Sequence, residues 1–280
     1  MSRLPTNRLA TTLRRLGTRF KAAGRHERLR VYLASDALAV CLIHGRFRPR
    51  VVETAVIDSR ASARNAQQDI ADALTGLTSW MEMREFDGTV EWIVGFDHVR
   101  YLMLPWDERL SSISFCHTLA SALFSQQFHG EDSASSSGKL CFAPRSYGYP
   151  RLAALIPHDI VRTLDSFSWR QRRRTTRITP ALGVVWDQFF NRFRKGAGTL
   201  ALVEGQRLLR VAYEQGNIVG LLVRPYSEAC DESAFSGASY TFPPHGLDAI
   251  EHEELLVAGL TPDDDRRVAY ALCGVLQCRG

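Results

Sequence analysis

"GTLALVEGQRLLRVAYEQGNIVGLLVRP", residues 198 to 225, is the stretch on which the reading of the fold turns. Its apolar residues fall into three short blocks, separated first at Glu204-Gly205-Gln206 and again at Gly216-Asn217. Residues of these types accept the backbone angles of tight hairpins, so three strands joined by two turns are expected. The same layout occurs 168 positions earlier (198 − 30), in "RVYLASDALAVCLIHGRFRPRVVETAVI", residues 30 to 57. There Ala34-Ser35-Asp36 and Gly45-Arg46 mark the turns. Helical segments follow both copies. A repeated meander with helices implies a duplicated α/β fold of two related lobes, against the alternative that two unrelated meanders happen to look alike.

Between the copies, "SARNAQQDIADALTGLTSWMEM" has helical period, with Ala66, Ile70, Ala73, Leu77 and Trp80 or Met81 on one face. Strands are expected near 89–95 and 98–104. A helix marked by Ile113, Cys116, Leu119 or Ala120, and Leu123 comes next, then a polar loop over 129–139. Two more strands, near 139–144 and 150–156, precede a helix through Ile160, Leu164 and Phe167. A short strand ends at Thr179-Pro180, and Leu182, Val185 or Trp186, Phe189 and Phe193 line one side of the next helix. Beyond residue 225 the sequence reads as a long loop, with a final strand in "RRVAYALCGVL".

Composition sets bounds on function. A chain of 280 residues with 45% hydrophobic content can bury a core in one large domain or two lobes. No apolar run is long enough to span a bilayer, and the start lacks the apolar core of a secretory signal. Its six cysteines form no CxxC pair, which favours buried thiols in a reducing cytosol over disulfides or a zinc site. Residues 1–30 hold eight Arg and one Lys against one Glu, a balance of +8; the whole chain is +5, leaving −3 for residues 31–280. The positive charge thus belongs to an N-terminal arm, which argues against a nucleic-acid-binding body. Leu9, Leu13, Leu16 and Phe20 would share one face of a helix there, with Arg8, Arg14, Arg15, Arg19 and Lys21 around the rest. Such a helix suits an anionic membrane surface or a partner, is similar to an organelle transit peptide, or packs on the body with its cations in water.

A duplicated three-strand meander followed by helices resembles the actin/Hsp70-like ATPase fold. Within it, the chain resembles the PilM-like pilus assembly proteins and the cytoplasmic domain of GspL-type secretion proteins. Three stretches carry the resemblance: residues 30–57, "WIVGFDHVRYLMLPWDERLSSISFCHTLASALFSQQFHG", and "PRLAALIPHDIVRTLDSF" with the second meander. The resemblance implies a basic arm over 1–28, a first lobe with an inserted subdomain over 29–197, and a second lobe over 198–280. It also implies a nucleotide cleft between the paired hairpin turns, here Ser35, Asp36, Glu204, Gly205 and Gln206. Nucleotide-binding relatives carry an Asp-x-Gly-like pattern at these turns. This chain has Tyr32 where the Asp would fall, Ala34 where the Gly would, and only Glu204-Gly205 at the second turn. No cofactor and no catalytic or metal-ligating residue is therefore expected, and a pseudo-ATPase scaffold is the implied function. Its partners would be the cytoplasmic tail of an inner-membrane pilus or secretion protein and a motor ATPase, at the cytoplasmic side of that membrane. The alternatives are an active Mg-ATP-binding ATPase or phosphotransferase of the same fold, and a basic-armed nucleic-acid binder.

Other motifs carry less. "GEDSASSSGKL" has seven residues between Gly130 and Gly138 and no Ser or Thr after Lys139, so it is not a phosphate loop. "EHEEL", residues 251–255, lacks the second His of a zinc helix and reads as a solvated helix face. Asp263, Asp264 and Asp265 suit the entry to a helix or strand better than a cation site. "WRQRRRTTR", residues 169–177, reads as the exposed end of a helix, where cations suit the dipole.

Overall fold

The computed structural model describes residues 26–58, 66–127, 137–225, 238–243, 253–260 and 264–275. The N-terminal arm, with Arg8, Arg14, Arg15, Arg19 and Lys21, lies outside the described residues, as does most of the polar loop over 129–139.

The first meander forms as the sequence implies: β1 (Glu27–Leu33), β2 (Ala37–His44) and β3 (Arg50–Asp58), antiparallel throughout. Helix α1 (Ala66–Met83) follows, then β4 (Thr89–Val94), which pairs parallel to β1. After β5 (Arg100–Leu104), α2 (Ile113–Gln127), β6 (Gly138–Phe142), β7 (Arg151–Pro157) and α3 (His158–Arg170), strand β8 (Arg174–Pro180) returns to pair parallel to β4. The sheet order is β3-β2-β1-β4-β8. Strands β5, β7 and β6 form a separate small antiparallel sheet.

Helix α4 (Ala181–Phe193) leads into the second meander, β9 (Ala197–Glu204), β10 (Arg207–Glu214) and β11 (Asn217–Pro225). Strands β12 (Ala238–Phe242) and β13 (Glu253–Glu254) then add parallel on the β9 side. The resulting order, β11-β10-β9-β12-β13, repeats the first sheet strand for strand. This shared order, an antiparallel meander extended by parallel strands, is the actin-like α/β plan.

Side-chain periodicity explains the layers. Along β1, Leu29, Val31 and Leu33 face a core made with α1 and α3, while Tyr32 and Ala34 face the core between the two sheets. Burial on both faces is what a central strand in a partly parallel sheet requires. Helix α1 presents Ile70, Ala73, Leu77, Trp80 and Met81 to the first core. Helix α4 fills the space between the sheets with Leu182, Val185, Trp186, Phe189 and Phe193. Burying each such side chain contributes roughly 1.5–3 kcal/mol, so this helix is a main element joining the lobes.

Four expectations are corrected. The "RRVAYALCGVL" segment is not a strand: Val268–Leu272 is a short helix, α5, with all five residues buried. Its uniformly apolar run fits either element, and packing on both β1–β2 and α4 selects the helix. Residues 238–242 are not loop but β12, because Tyr240 and Phe242 reach the same core as β9. Glu253 and Glu254 form β13 rather than a helix face, with Leu255 buried behind them. In α2 the buried stripe is Cys116, Ala120 and Phe124, and Ile113 is exposed, because the helix seats against the small sheet rather than the main core. Among the described cysteines none is in a disulfide; Cys41, Cys116 and Cys273 are buried and Cys141 is partly buried.

Candidate functional site

The two hairpin turns meet. Ser35 and Asp36 link β1 to β2, Gly205 and Gln206 link β9 to β10, and a Cβ placed on Gly205 would lie 3.8 Å from Ser35 Oγ. Ser35, Asp36, Gly205 and Gln206 are exposed at the rim, whereas Glu204 is buried beneath it. The fold thus sets the two hairpin turns read from the sequence side by side.

What lies under the turns came from elsewhere in the chain. The Tyr32 ring stacks on Tyr270 of α5, with centroids 4.4 Å apart and planes 16° apart. Tyr270 in turn meets Phe242 edge-on at 4.9 Å and donates its hydroxyl to the Val203 carbonyl at 3.0 Å. The Phe96 N–H donates to Glu204 Oε2 at 2.8 Å. Gly95, just before it, has no room for a side chain: a Cβ there would press on the Glu204 carboxylate and on the Leu33 carbonyl. The Tyr32 hydroxyl lies against the Glu204 carboxylate without a hydrogen bond of good geometry. Both tyrosines are essentially fully buried, so the cleft floor is a packed aromatic layer.

Charge follows from that packing. Burial, reinforced by the nearby Asp97 charge, pushes the Glu204 carboxyl up to about 8, against the opposing Phe96 N–H bond. Glu204 is therefore mostly protonated at neutral pH. The rim is tied across by ion pairs. Arg207, at the start of β10, contacts Asp97 from the first lobe. Arg267, just before α5, reaches Asp36 at 3.0 Å, Asp58 at 3.2 Å and Asp265 at 2.7 Å. His98 adds a bond from Nε2 to the Ala34 carbonyl at 3.1 Å.

The floor differs from what a magnesium nucleotide requires. Its cation needs ionised oxygen ligands, and its phosphates need backbone N–H groups approached without side chains. Here the Glu204 carboxyl is enclosed and protonated, and two tyrosine rings lie beside it. Among the described residues, no group of three His, Cys, Asp or Glu side chains converges as a metal site. Of the residues that close the cleft, Tyr270, Phe96, Asp97 and Arg267 were not found from the sequence. They are contributed by segments far from both hairpins and have no local motif.

A second concavity, about 260 Å³, opens between the small sheet and α4. Tyr101, Cys141, Phe142, Leu152, Leu182 and Trp186 give it an apolar floor, and Lys139, Arg177 and Asp187 stand at its polar margin. Nothing in the sequence marked it, since its walls come from β5, β6, β7, β8 and α4.

No family model and no curated protein matches this sequence. Solved structures do. The cytoplasmic domain of EpsL, an inner-membrane component of the type II secretion system of Vibrio cholerae, matches with a TM-score of 0.52 at 10% identity, over 88% of this chain and 92% of that chain. A chain of the PilM–PilN type IV pilus biogenesis complex matches with a TM-score of 0.51 at 9% identity, over 70% of this chain and 60% of that one. At such identities the likeness is one of fold, and it agrees with the duplicated sheet order.

Proposed function

We propose that this chain is a non-catalytic actin-like scaffold of a type IV pilus or type II secretion-like assembly. The observation that carries the reading is the cleft floor, where Tyr32 and Tyr270 stack beside a buried, protonated Glu204. A fold built to close on a nucleotide has there become a packed joint between lobes. Residues 29–197 and 198–280 are the two lobes of this scaffold. The likeness to the EpsL cytoplasmic domain and to PilM supports a place at the cytoplasmic side of an inner membrane. Among the described residues no helix is long and apolar enough to cross a membrane.

The occupant we assign to the apolar groove between the small sheet and α4 is the cytoplasmic tail of an inner-membrane partner. An extended peptide would lay its apolar side chains on Tyr101, Phe142 and Trp186, with Lys139 and Arg177 near its polar groups. A motor ATPase is the second partner of the scaffold. Arg8, Arg14, Arg15, Arg19 and Lys21 add affinity for the anionic membrane surface. Deletion of residues 1–25 is expected to release the protein from membranes, and unchanged fractionation would refute that role.

Calorimetric titration with ATP, with and without Mg²⁺, tests the scaffold reading. No Mg²⁺-dependent saturable heat is expected from the folded protein. Mg²⁺-dependent binding in the micromolar range, about −8 kcal/mol, would restore the ATPase reading.

A further inference from the structure

Strand β1 is central in its sheet and buried on both faces, yet it carries two arginines at alternate positions. Arg28 and Arg30 point to the same face as Tyr32, at the end of the strand away from the cleft. Arg30 is only 4% exposed. The parallel register sets Arg30 beside Glu91 of β4, and Glu91 beside Arg177 of β8. A row of alternating charge therefore crosses three strands under helix α4.

The row lines a polar cavity of about 530 Å³, roofed by Asp187, Gln188 and Asn191 of α4 and bordered by Gly274 after α5. That volume lies within the roughly 300–1,000 Å³ usual for small-molecule sites. Three arginines face two carboxylates there, a balance of 3 − 2 = +1. One terminal nitrogen of Arg30 donates to the Cys273 carbonyl, and its Nε lies 3.3 Å from Glu91. That approach is not aligned as a hydrogen bond, and the Nε atoms of both Arg30 and Arg28 are buried without an acceptor. At the mouth, Arg177 and Asp187 stand 4.0 Å apart and more than half exposed. Unpaired guanidinium N–H groups in a recess are costly, and an oxyanion with several acceptor oxygens satisfies them best. Burial also pulls the Arg30 guanidinium pKa down, which shows how poorly the protein alone compensates this charge.

We propose that this cavity is an oxyanion site for a phosphate monoester, held by Arg28, Arg30 and Arg177. Glu91 limits its affinity, and the amide side chains of Gln188 and Asn191 lie within the site to orient the ligand. The site is on the opposite end of the sheet from the closed cleft and does not depend on the scaffold reading.

The test is titration of the full-length protein with inorganic phosphate and with glycerol 3-phosphate, against potassium chloride at matched ionic strength, by calorimetry and thermal shift. Saturable binding with Kd at or below about 1 mM is expected. Arg28→Gln should weaken it at least tenfold, and Glu91→Gln should tighten it by removing the competing carboxylate. If Arg28→Gln does not fold, Arg177→Gln at the rim takes its place. A parallel arm uses vesicles containing phosphatidic acid: capture lost in Arg28→Gln, without response to the soluble esters, assigns the phosphate to a lipid headgroup. No saturable response in either arm, or equal responses of wild type and both arginine variants, overturns the site. ATP affinity that disappears in Arg28→Gln belongs to this cavity, whereas affinity that survives it belongs to the cleft.

Discussion

The β1–β2 and β9–β10 hairpins occupy equivalent places in two sheets of the same strand order, yet their inward faces run in opposite chemical directions. Aligned on their two-residue turns, β1 presents Arg28, Arg30, Tyr32 and Ala34, while β9 presents Gly198, Leu200, Leu202 and Glu204. The first strand is charged at its start and sealed at its turn. The second is apolar along its length and polar only at its turn. The topology therefore constrains the strands to pair and pack, and leaves free which end of each is polar. That freedom gives a packed aromatic floor where the turns meet and a polar cavity at the far end of β1.

Breaking the aromatic floor should give the largest effect. Tyr32→Ala removes a buried ring stacked on Tyr270 and is expected to cost about 3–5 kcal/mol in urea denaturation. A loss under about 1 kcal/mol would mean that the floor is not a packed joint, and the contrast with β9 would collapse.

Next in size is a pH effect confined to the second hairpin. Glu204 has a folded-state pKa raised from 4.5 to about 8, so the native state keeps a proton that the unfolded chain releases. Stability is thus fully present below about pH 4.5, falls as pH rises toward about 8, and then levels off. The slope is about 1.4 kcal/mol per pH unit, giving about 2–3 kcal/mol between pH 6 and pH 8. Glu204→Gln should flatten this profile, measured as Tm against pH, because it cannot ionise and still accepts from Phe96 N–H. A profile equally steep in the variant would place the titrating group elsewhere.

The meanders were legible because hairpin turns and strand alternation are local. Ser35-Asp36 and Gly205-Gln206 each punctuate an apolar run, and the helices at 66–83 and 181–193 announce themselves by period. The absence of an Asp-x-Gly pattern at Tyr32 and Ala34 was legible for the same reason. Residues 268–272 were misread because five consecutive apolar residues carry no period, and tertiary packing on β1, β2 and α4 decides their conformation. The aromatic floor was illegible because Tyr32 and Tyr270 are 238 positions apart (270 − 32). The polar cavity did leave a sign: alternate arginines at 28 and 30, in a strand that is otherwise apolar from Leu29 to Leu33, contradict a two-faced burial pattern. Such local conflicts mark places where packing has been given up for something else.

The turns themselves differ by a smaller amount. Gly205 has φ +55°, whereas neither Ser35 nor Asp36 has a positive φ. A Cβ on Gly205 would meet nothing closer than Ser35 Oγ at 3.8 Å, so substitution there is penalised through the backbone alone. Gly205→Ala is expected to cost about 1–2 kcal/mol, and Ser35→Ala, at the equivalent exposed position, less than about 0.5 kcal/mol. Equal costs in chemical denaturation would show that the two turns are interchangeable.

The smallest net effect should come from Asp97→Asn, because two consequences oppose each other. Asp97 pairs with Arg207, which is half exposed, so losing that pair costs about 0.2–1 kcal/mol and less at high salt. The same carboxylate also helps to hold the Glu204 pKa up. Without it Glu204 ionises at lower pH in the folded state, and part of the stability lost toward alkaline pH returns. Wild type and Asp97→Asn should therefore differ most near pH 5, where only the ion pair is missing, and converge as pH approaches 8. A constant gap across that range would mean that Asp97 and Glu204 do not interact. The link between the second turn and the first lobe would then reduce to a surface ion pair, and the asymmetry between the hairpins would rest on Tyr32 alone.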